Sequence, residues 1–234
     1  MNIAIILATG NNTKFLGENK DLPKQVIDIY RKEVIAYSLE SYSNHPLIDE
    51  IVVVCNLEYQ KKCEDIIKKY DIKKVKGVVS GGVTRQSSVL SALEYLSSFY
   101  KLDNENVIIH EADRIIISEE LISNHIEALD THDAVSTITS LNDQIILSED
   151  GVSLDKTLDM NKVYMMQTPQ SFKYDLLYSA HKFALNLELK DSIDDASLMK
   201  LFNKDVYLLK ESKHNLKIVS IDDLEILKGL LENK

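Results

Sequence analysis

Two hydrophobic periods take turns along this chain. Ile3 to Ala8 is an unbroken apolar run, the pattern of a strand buried on both faces. It breaks at Thr9-Gly10 into a polar loop that continues to Leu22-Pro-Lys-Gln25. Ile35, Leu39 and Tyr42 then recur at helical spacing within Val34 to Tyr42. Glu50-Ile-Val-Val-Val-Cys55 reads as a β-branched strand, and Tyr59 to Tyr70 as a charged amphipathic helix. Val75 to Val79 predicts a further strand leading into Ser80-Gly-Gly82. A helix with Val89, Leu90, Leu93 and Leu96 on one face follows, then a short strand Asn106 to His110 and a helix Glu119 to Leu129. Such alternation predicts an α/β fold, a sheet with helices on both faces.

Between about Asp133 and Met166 the pattern changes. Short alternating pieces (Ala134 to Ile138, Gln144 to Leu147, Val163 to Met165) surround the turn Glu149-Asp150-Gly151, which predicts a β-hairpin excursion in place of a βαβ unit. Helices are expected at Tyr174 to Leu187 and Asp194 to Leu201, strands at Val206 to Leu209 and Leu216 to Val219, and a last helix from Asp222. With three prolines and seven glycines, and no linker or repeat, residues 1–234 read as a single domain with a hairpin arm at about 137–165.

Composition narrows the partners. The chain has 234 residues, ample for a large core, and its 44% apolar and 27% charged content is ordinary for a globular protein. A net charge of −10 argues against nucleic acid as a partner, so an anionic substrate has to be met by a local basic pocket. No apolar run reaches the ~18 residues of a membrane span, so no membrane insertion is expected. The N-terminus lacks a signal-peptide pattern, and a cytoplasmic location is expected. Cys55 and Cys63 carry no metal-ligand spacing and read as packing residues. Nor do the histidines at 45, 110, 125, 132, 181 and 214, most of which are expected at the surface or in supporting roles.

Four stretches can carry chemistry. After the first strand, Thr9 and Gly10 would let backbone N–H groups approach a phosphate chain, with Lys14 and Lys24 supplying charge; an ordinary strand-to-helix turn reads the same way. Neither G-x-G-x-x-G nor G-x-x-x-x-G-K-[ST] is present. Ser80-Gly-Gly-Val-Thr-Arg-Gln-Ser-Ser-Val89 leads a helix, where Arg85 and the hydroxyls can meet a polar ligand, or Thr84 or Ser87 can cap the helix. His110-Glu-Ala-Asp-Arg114 ends a buried strand, at the edge where open α/β sheets bind ligands. Its acids suit a metal, a hydroxylated substrate or a salt-bridged strand end. Gln167-Thr-Pro-Gln-Ser-Phe172 reads as a turn and cap, and Asp191 to Ser197 as an acid-led helix start.

In this order the stretches resemble the cytidylyltransferase family that makes CDP-methylerythritol and CDP-ribitol from CTP and a polyol phosphate. The anchors are the first loop with Leu22-Pro-Lys-Gln25, Gly81 to Gln86 with Ser88-Val89, His110 to Arg114, Gln167 to Phe172, Asp194-Asp-Ala-Ser197 and Asn215-Leu-Lys217. The resemblance covers essentially the whole chain. It implies a Rossmann-like nucleotidyltransferase sheet and a homodimer whose hairpin arms cross, each helping to close the partner's site. Lys14, Lys24 and Lys217 would be catalytic, with Lys14 standing where the family usually has Arg. Leu7, Ala8, Thr9, Gly10, Asn11, Gly81, Gly82, Val83, Arg85 and Ser88 would bind CTP, the first group at the triphosphate and the glycine loop at the cytosine. Glu111, Asp113, Arg114, Gln144 and Met160 would face the acceptor. Mg²⁺ would accompany the triphosphate, with Glu111 its candidate protein ligand.

Departures gather on the acceptor side. The Asp of the family's H-D-A-x-R is Glu111 here, its V-x-D-T becomes Leu141-Asn-Asp-Gln144, the Thr of T-D-D-A-S is Ile193, and the Arg that grips the acceptor's phosphate is Met160. Met cannot replace a bidentate phosphate clamp, so Lys156, Lys162 or another cation has to serve, or the phosphate is presented differently. The expectation is therefore CMP transfer from CTP to a small polyol phosphate of the ribitol 5-phosphate or glycerol phosphate type, as used for surface polymers. Methylerythritol phosphate as acceptor, and a silent nucleotide-binding homologue, are the alternatives.

Overall fold

The computed structural model describes residues 1–10, 24–101, 103–189 and 194–232. Asn11 and Lys14 of the first loop, Ile193, and the side chain of Lys24 lie outside the described residues.

The elements follow in the order β1 (Asn2–Ala8), β2 (Asp28–Ile29), β3 (Lys32–Glu33), α1 (Val34–Asn44), β4 (Glu50–Cys55), α2 (Gln60–Lys69), β5 (Val75–Ser80), α3 (Arg85–Ser97), β6 (Asn106–Glu111) and α4 (Glu119–Ala128). Then come β7 (Ala134–Ser140), β8 (Ile146–Leu147), β9 (Lys156–Thr157), β10 (Tyr164–Lys173), α5 (Tyr174–Asn186), α6 (Asp195–Leu201), β11 (Tyr207–Lys210) and α7 (Ile221–Glu232). Seven strands form one sheet in the order β11-β7-β10-β6-β1-β4-β5. β1 pairs in parallel with both β4 and β6, whereas β10 runs antiparallel to β6 and β7.

Strand alternation explains the two layers. Ala4, Ile6 and Ala8 point to the face covered by α1, α2 and α4, while Ile3, Ile5 and Leu7 point to the face covered by α3, α5 and α6. Both faces of β1 are thus dry, as its unbroken apolar run requires. A smaller cluster of Ile29, Val34, Ile115, Ile116, Ile218 and Leu227 ties β2 and α7 to the segment after β6. Among the described residues no helix is long and apolar enough to cross a membrane.

Strand order places the ligand site. The chain leaves β1 toward β4 and β5 on one side, then returns to β6 on the other. The crevice at the carboxyl end of β1 and β6 is therefore a topological switch point, where α/β sheets open to ligands.

Several expectations need correction. The hairpin excursion is smaller than expected, because β7 and β10 belong to the main sheet and, of its described strands, β8 and β9 alone pair outside it. Gln167 to Phe172 is not a turn and cap but part of the ten-residue strand β10, whose pairing to β7 skips between Gln167 and Gln170. Leu216 to Val219 forms no strand among the described residues. The Ile218 N–H there donates to the Asp113 carbonyl (3.0 Å). The β2–β3 hairpin had no sequence expectation at all.

Of the histidines, His45, His110, His125 and His181 are buried, and the last three brace neighbouring groups, which is the supporting role and not the surface one. His110 Nε2 donates to the Arg114 carbonyl (2.9 Å), which leaves Nδ1 to accept from the Thr168 hydroxyl (3.2 Å). The Thr137 hydroxyl donates to the Pro169 carbonyl (2.7 Å), so its oxygen accepts from His125 Nε2 (2.8 Å), and Ser171 donates to His125 Nδ1 (2.8 Å). Cys55 and Cys63 are free and buried, as packing residues should be.

Burial, reinforced by the charge of Arg114, pushes His110 down to about 4, and burial pushes His125 down to about 3. Both folded values lie below the unfolded one, so the unfolded chain binds more protons as pH falls. Their stabilising contribution is complete above about pH 6.5 and is lost as pH falls toward 4. Urea unfolding at pH 7.5 and 5.0 is expected to show a loss of roughly 2 kcal/mol per imidazole at the lower pH. Equal stability at both would mean that neither ring is held uncharged.

Candidate active site

The site is built at the ends of β1, β5 and β6, from three loops and one returning segment. Close approach of the loops requires glycine at one point: a side chain at Gly81 would run into Thr9 and Ser88. The Gly81 N–H donates to the Cys55 carbonyl (2.8 Å), which docks the loop on the neighbouring strand. Thr84 and Ser87 form a reciprocal capping box at α3, Ser87 N–H to Thr84 Oγ1 (3.1 Å) and Thr84 N–H to Ser87 Oγ (2.9 Å). The two capping readings of the sequence are both fulfilled. Ser88 Oγ accepts from the Gly82 N–H (3.1 Å) and donates to the Thr84 carbonyl (2.8 Å), so it braces the loop.

Beside this loop a cavity of about 150 Å³ is lined by Leu7, Thr9, Gly10, Gln25, Arg85, Glu111, Asp113 and Lys217. A second of about 260 Å³ shares Arg85, Glu111 and Lys217 with it and adds Arg114, Met166, Gln167, Thr168, Gln170 and Asp194. The centre of both is Glu111. One carboxylate oxygen accepts from Lys217 Nζ (2.5 Å), the other from Arg114 Nε (2.8 Å). Burial alone would raise this carboxyl, but the adjacent Lys217 and Arg114 charges outweigh it and hold it down at about 2.

Supporting bonds set that cluster in place. The Glu111 N–H donates to Thr168 Oγ1 (3.0 Å), and Arg114 Nη1 donates to the Asn215 carbonyl (2.9 Å). Asn215 is buried, and its amide donates to the Thr168 carbonyl (2.8 Å) and to Gln167 Oε1 (3.3 Å). The Asn-Leu-Lys motif is thereby legible: Asn215 is the anchor and Lys217 the group presented. Gln170 Oε1 accepts from the Ala196 N–H (3.2 Å), joining β10 to the start of α6, whose first turn Asp194 caps through the Ser197 N–H (2.7 Å).

Of the expected residues, the structure brings together Leu7, Thr9, Gly10, Arg85, Glu111, Asp113, Arg114 and Lys217. Ala8 ends β1 behind them. Gly82 and Val83 open onto a separate groove of about 470 Å³, with an apolar lining that includes Leu90, Leu185 and Leu189. Val83 is fully exposed. Gln144 and Met160 line neither cavity of this chain. Both sit beside the β8–β9 hairpin, where Gln144 donates to the Leu158 carbonyl (2.8 Å) and Met160 opens a 3₁₀ turn. Lys24 opens the 3₁₀ turn Lys24–Val26. Gln25, Gln167, Thr168, Gln170 and Asn215 had no role by residue type, although each lies in a stretch that carried the resemblance. His181 had no signal at all.

Metal ligation has a modest basis here. Among the described residues no three of His, Cys, Asp and Glu gather as a metal cage. Glu111 and Asp113 line one cavity together, which suits a Mg²⁺ that keeps its waters and arrives on a triphosphate.

The chain is similar to known proteins over nearly its whole length. Residues 2–233 match the family model of 2-C-methyl-D-erythritol 4-phosphate cytidylyltransferase (IspD). A protein of that name from Clostridium novyi is 36% identical, covering 99% of this chain and 97% of its own length. A ribitol-5-phosphate cytidylyltransferase from Lacticaseibacillus paracasei is 32% identical, covering 99% and 98%. In three dimensions, the 4-diphosphocytidyl-2C-methyl-D-erythritol synthase of Anaerococcus prevotii superposes with a TM-score of 0.82 at 28% identity, over 99% of this chain and 96% of that one. Relatives of both names cover the full length at comparable identity, so what they share is cytidylyl transfer to a polyol phosphate. The chain belongs to the 2-C-methyl-D-erythritol 4-phosphate cytidylyltransferase family and is a CTP-dependent nucleotidyltransferase.

Proposed function

We propose that the protein transfers CMP from CTP to a polyol phosphate of the ribitol 5-phosphate or glycerol phosphate type, releasing pyrophosphate. The observation that carries the choice of acceptor is the residue at position 160. Met160 stands where the family grips the acceptor phosphate with Arg, and the hairpin offers Lys156 and Lys162, both exposed, as the nearby cations. Glu111, one methylene longer than the family's Asp, is a second change on the acceptor side.

A phosphate oxygen of the acceptor attacks the α-phosphorus of CTP, and the bond to the β-phosphate oxygen breaks as pyrophosphate leaves. The attacking phosphate is already ionised, so the barrier is mainly electrostatic and no strong base is needed. Lys217 is placed to neutralise the α-phosphate, with Lys24 and Lys14 assigned the same work from the first loop. Binding of the triphosphate would shift Lys217 from Glu111 to phosphate, leaving Glu111 held by Arg114. Glu111 and Asp113 are the groups that would hold Mg²⁺, which supplies further charge neutralisation when bound.

The same reading makes the enzyme a homodimer through its arm. Ile146, Leu147, Val152 and Leu154 of the hairpin and Tyr164, Met165 and Met166 at its base are all exposed. So much apolar surface on one projection suits burial against a second copy. Light scattering is expected to return about twice the 26.6 kDa chain mass; a monomer at micromolar concentration would remove the arm's assigned role.

Pyrophosphate release with CTP and Mg²⁺ across a panel of methylerythritol 4-phosphate, ribitol 5-phosphate, both glycerol phosphates and several pentitol and hexitol phosphates tests the acceptor. Turnover is expected with ribitol or glycerol phosphate, and Lys217→Ala is expected to lower it by about 10²–10³. Turnover confined to methylerythritol 4-phosphate would overturn the acceptor assignment. Met160→Arg is expected to raise affinity for ribitol 5-phosphate if the clamp is simply lost; no change or a fall in affinity would show a pocket reshaped around another acceptor.

A further inference from the structure

Behind the cavities lies a charged group of residues that the reaction as described leaves without work. Asp195, in the first turn of α6, is fully buried. Its Oδ1 accepts from Nε2 of His181 on α5 (3.0 Å), a ring that is also fully buried. A carboxylate only accepts, so Nε2 donates; Nδ1 has no partner among the described residues. The other carboxylate oxygen lies 2.6 Å from Arg85 Nη1, at the start of α3. The two form an ion pair. Nη2 of Arg85 is buried and has no acceptor among the described residues.

An unspent donor on a buried guanidinium is costly unless something occupies it. Arg85 lines both cavities, alongside Lys217. Asp195 thus sets where the guanidinium stands through Nη1 and leaves Nη2 unspent, and His181 in turn sets the carboxylate. The neighbouring charges support this: burial would raise the Asp195 carboxyl, but Arg85 and the His181 hydrogen bond hold it below the usual carboxylate range.

We propose that His181 is a positioning residue, which through Asp195 turns the Arg85 guanidinium into the cavities to bind a phosphate oxygen of the substrates. The inference rests on the cytidylyl-transfer reading and adds to it two residues, His181 and Asp195, that do not touch substrate. The phosphate belongs either to CTP or to the acceptor, and the test separates them.

The test is a double-mutant cycle on binding, read by calorimetry with CTP, ribitol 5-phosphate and inorganic phosphate separately, with KM and kcat measured in parallel. His181→Leu is expected to weaken one phosphate ligand about ten-fold, through KM with kcat nearly kept, and to lose that effect when Arg85 is already Ala. The ligand weakened names the source of the phosphate. His181→Asn keeps a polar core but its amide falls short of Asp195, so it should behave like Leu, and it serves if the Leu variant does not fold. His181→Gln places an N–H near the position of Nε2 and should restore binding to within about three-fold, given the hydrogen bond it can remake. Equal effects of His181→Asn in the Arg85 and Arg85→Ala backgrounds would overturn the proposal, as would wild-type binding of none of the three ligands. Coupled binding of inorganic phosphate without CTP turnover would sink the cytidylyl reading alone; normal turnover with an uncoupled cycle would sink the positioning role alone.

Discussion

The carboxylate of Glu111 stands between Lys217 and Arg114 at the end of the central strands, and the geometry of the site depends on that contact. A partly buried ion pair of this kind need add little net stability, because the cost of removing the charges from water offsets their attraction. What it secures is position. Lys217 lies on a segment outside the sheet, next to Ile218, whose N–H donates to the Asp113 carbonyl, and Glu111 gives its charge a fixed place. Arg114 is tied at the same time to the carbonyl of Asn215, two residues before Lys217. Strand β6 and the returning segment are thereby locked at both ends of a short span.

That lock lies where the sheet's strand order opens a crevice. β1 has a parallel neighbour on each side, and the chain departs from it in one direction and comes back on the other. The crevice itself would exist with any apolar strands in that order. Its chemistry comes from what the loops bring: a glycine, Gly81, that allows a close approach to Thr9, cations from three separate stretches, and acids that hold those cations apart. An acidic chain can thus serve an anionic nucleotide, since the charge that matters is concentrated at one edge of the sheet.

The buried histidines belong to the same construction. His110 bridges the Arg114 carbonyl and Thr168, which itself takes the Glu111 N–H, so a neutral ring in the core joins β6 to β10 directly under the site. His125 performs a similar service between Thr137 and Ser171 of β7 and β10. These rings stand in for the interstrand order that is interrupted where the β10 pairing skips between Gln167 and Gln170.

The sequence by itself determined the α/β class, the central strands and the helices, because a strand dry on both faces and a helix dry on one leave direct hydrophobic periods. It also supplied the family, through stretches no one of which is decisive alone. The sequence misread Leu216 to Val219 as a strand, since an apolar segment packed on α7 has the same pattern as one paired in a sheet. It misread Gln167 to Phe172 as a turn, since Pro and polar residues mark turns unless long-range pairing holds them in a strand. Only the tertiary structure decided that Glu111 pairs with Lys217, 106 positions away, and that His181, Asp195 and Arg85 meet. Contacts of that range have no period and leave no local trace; they exist because three helices and two strand ends are packed around one crevice.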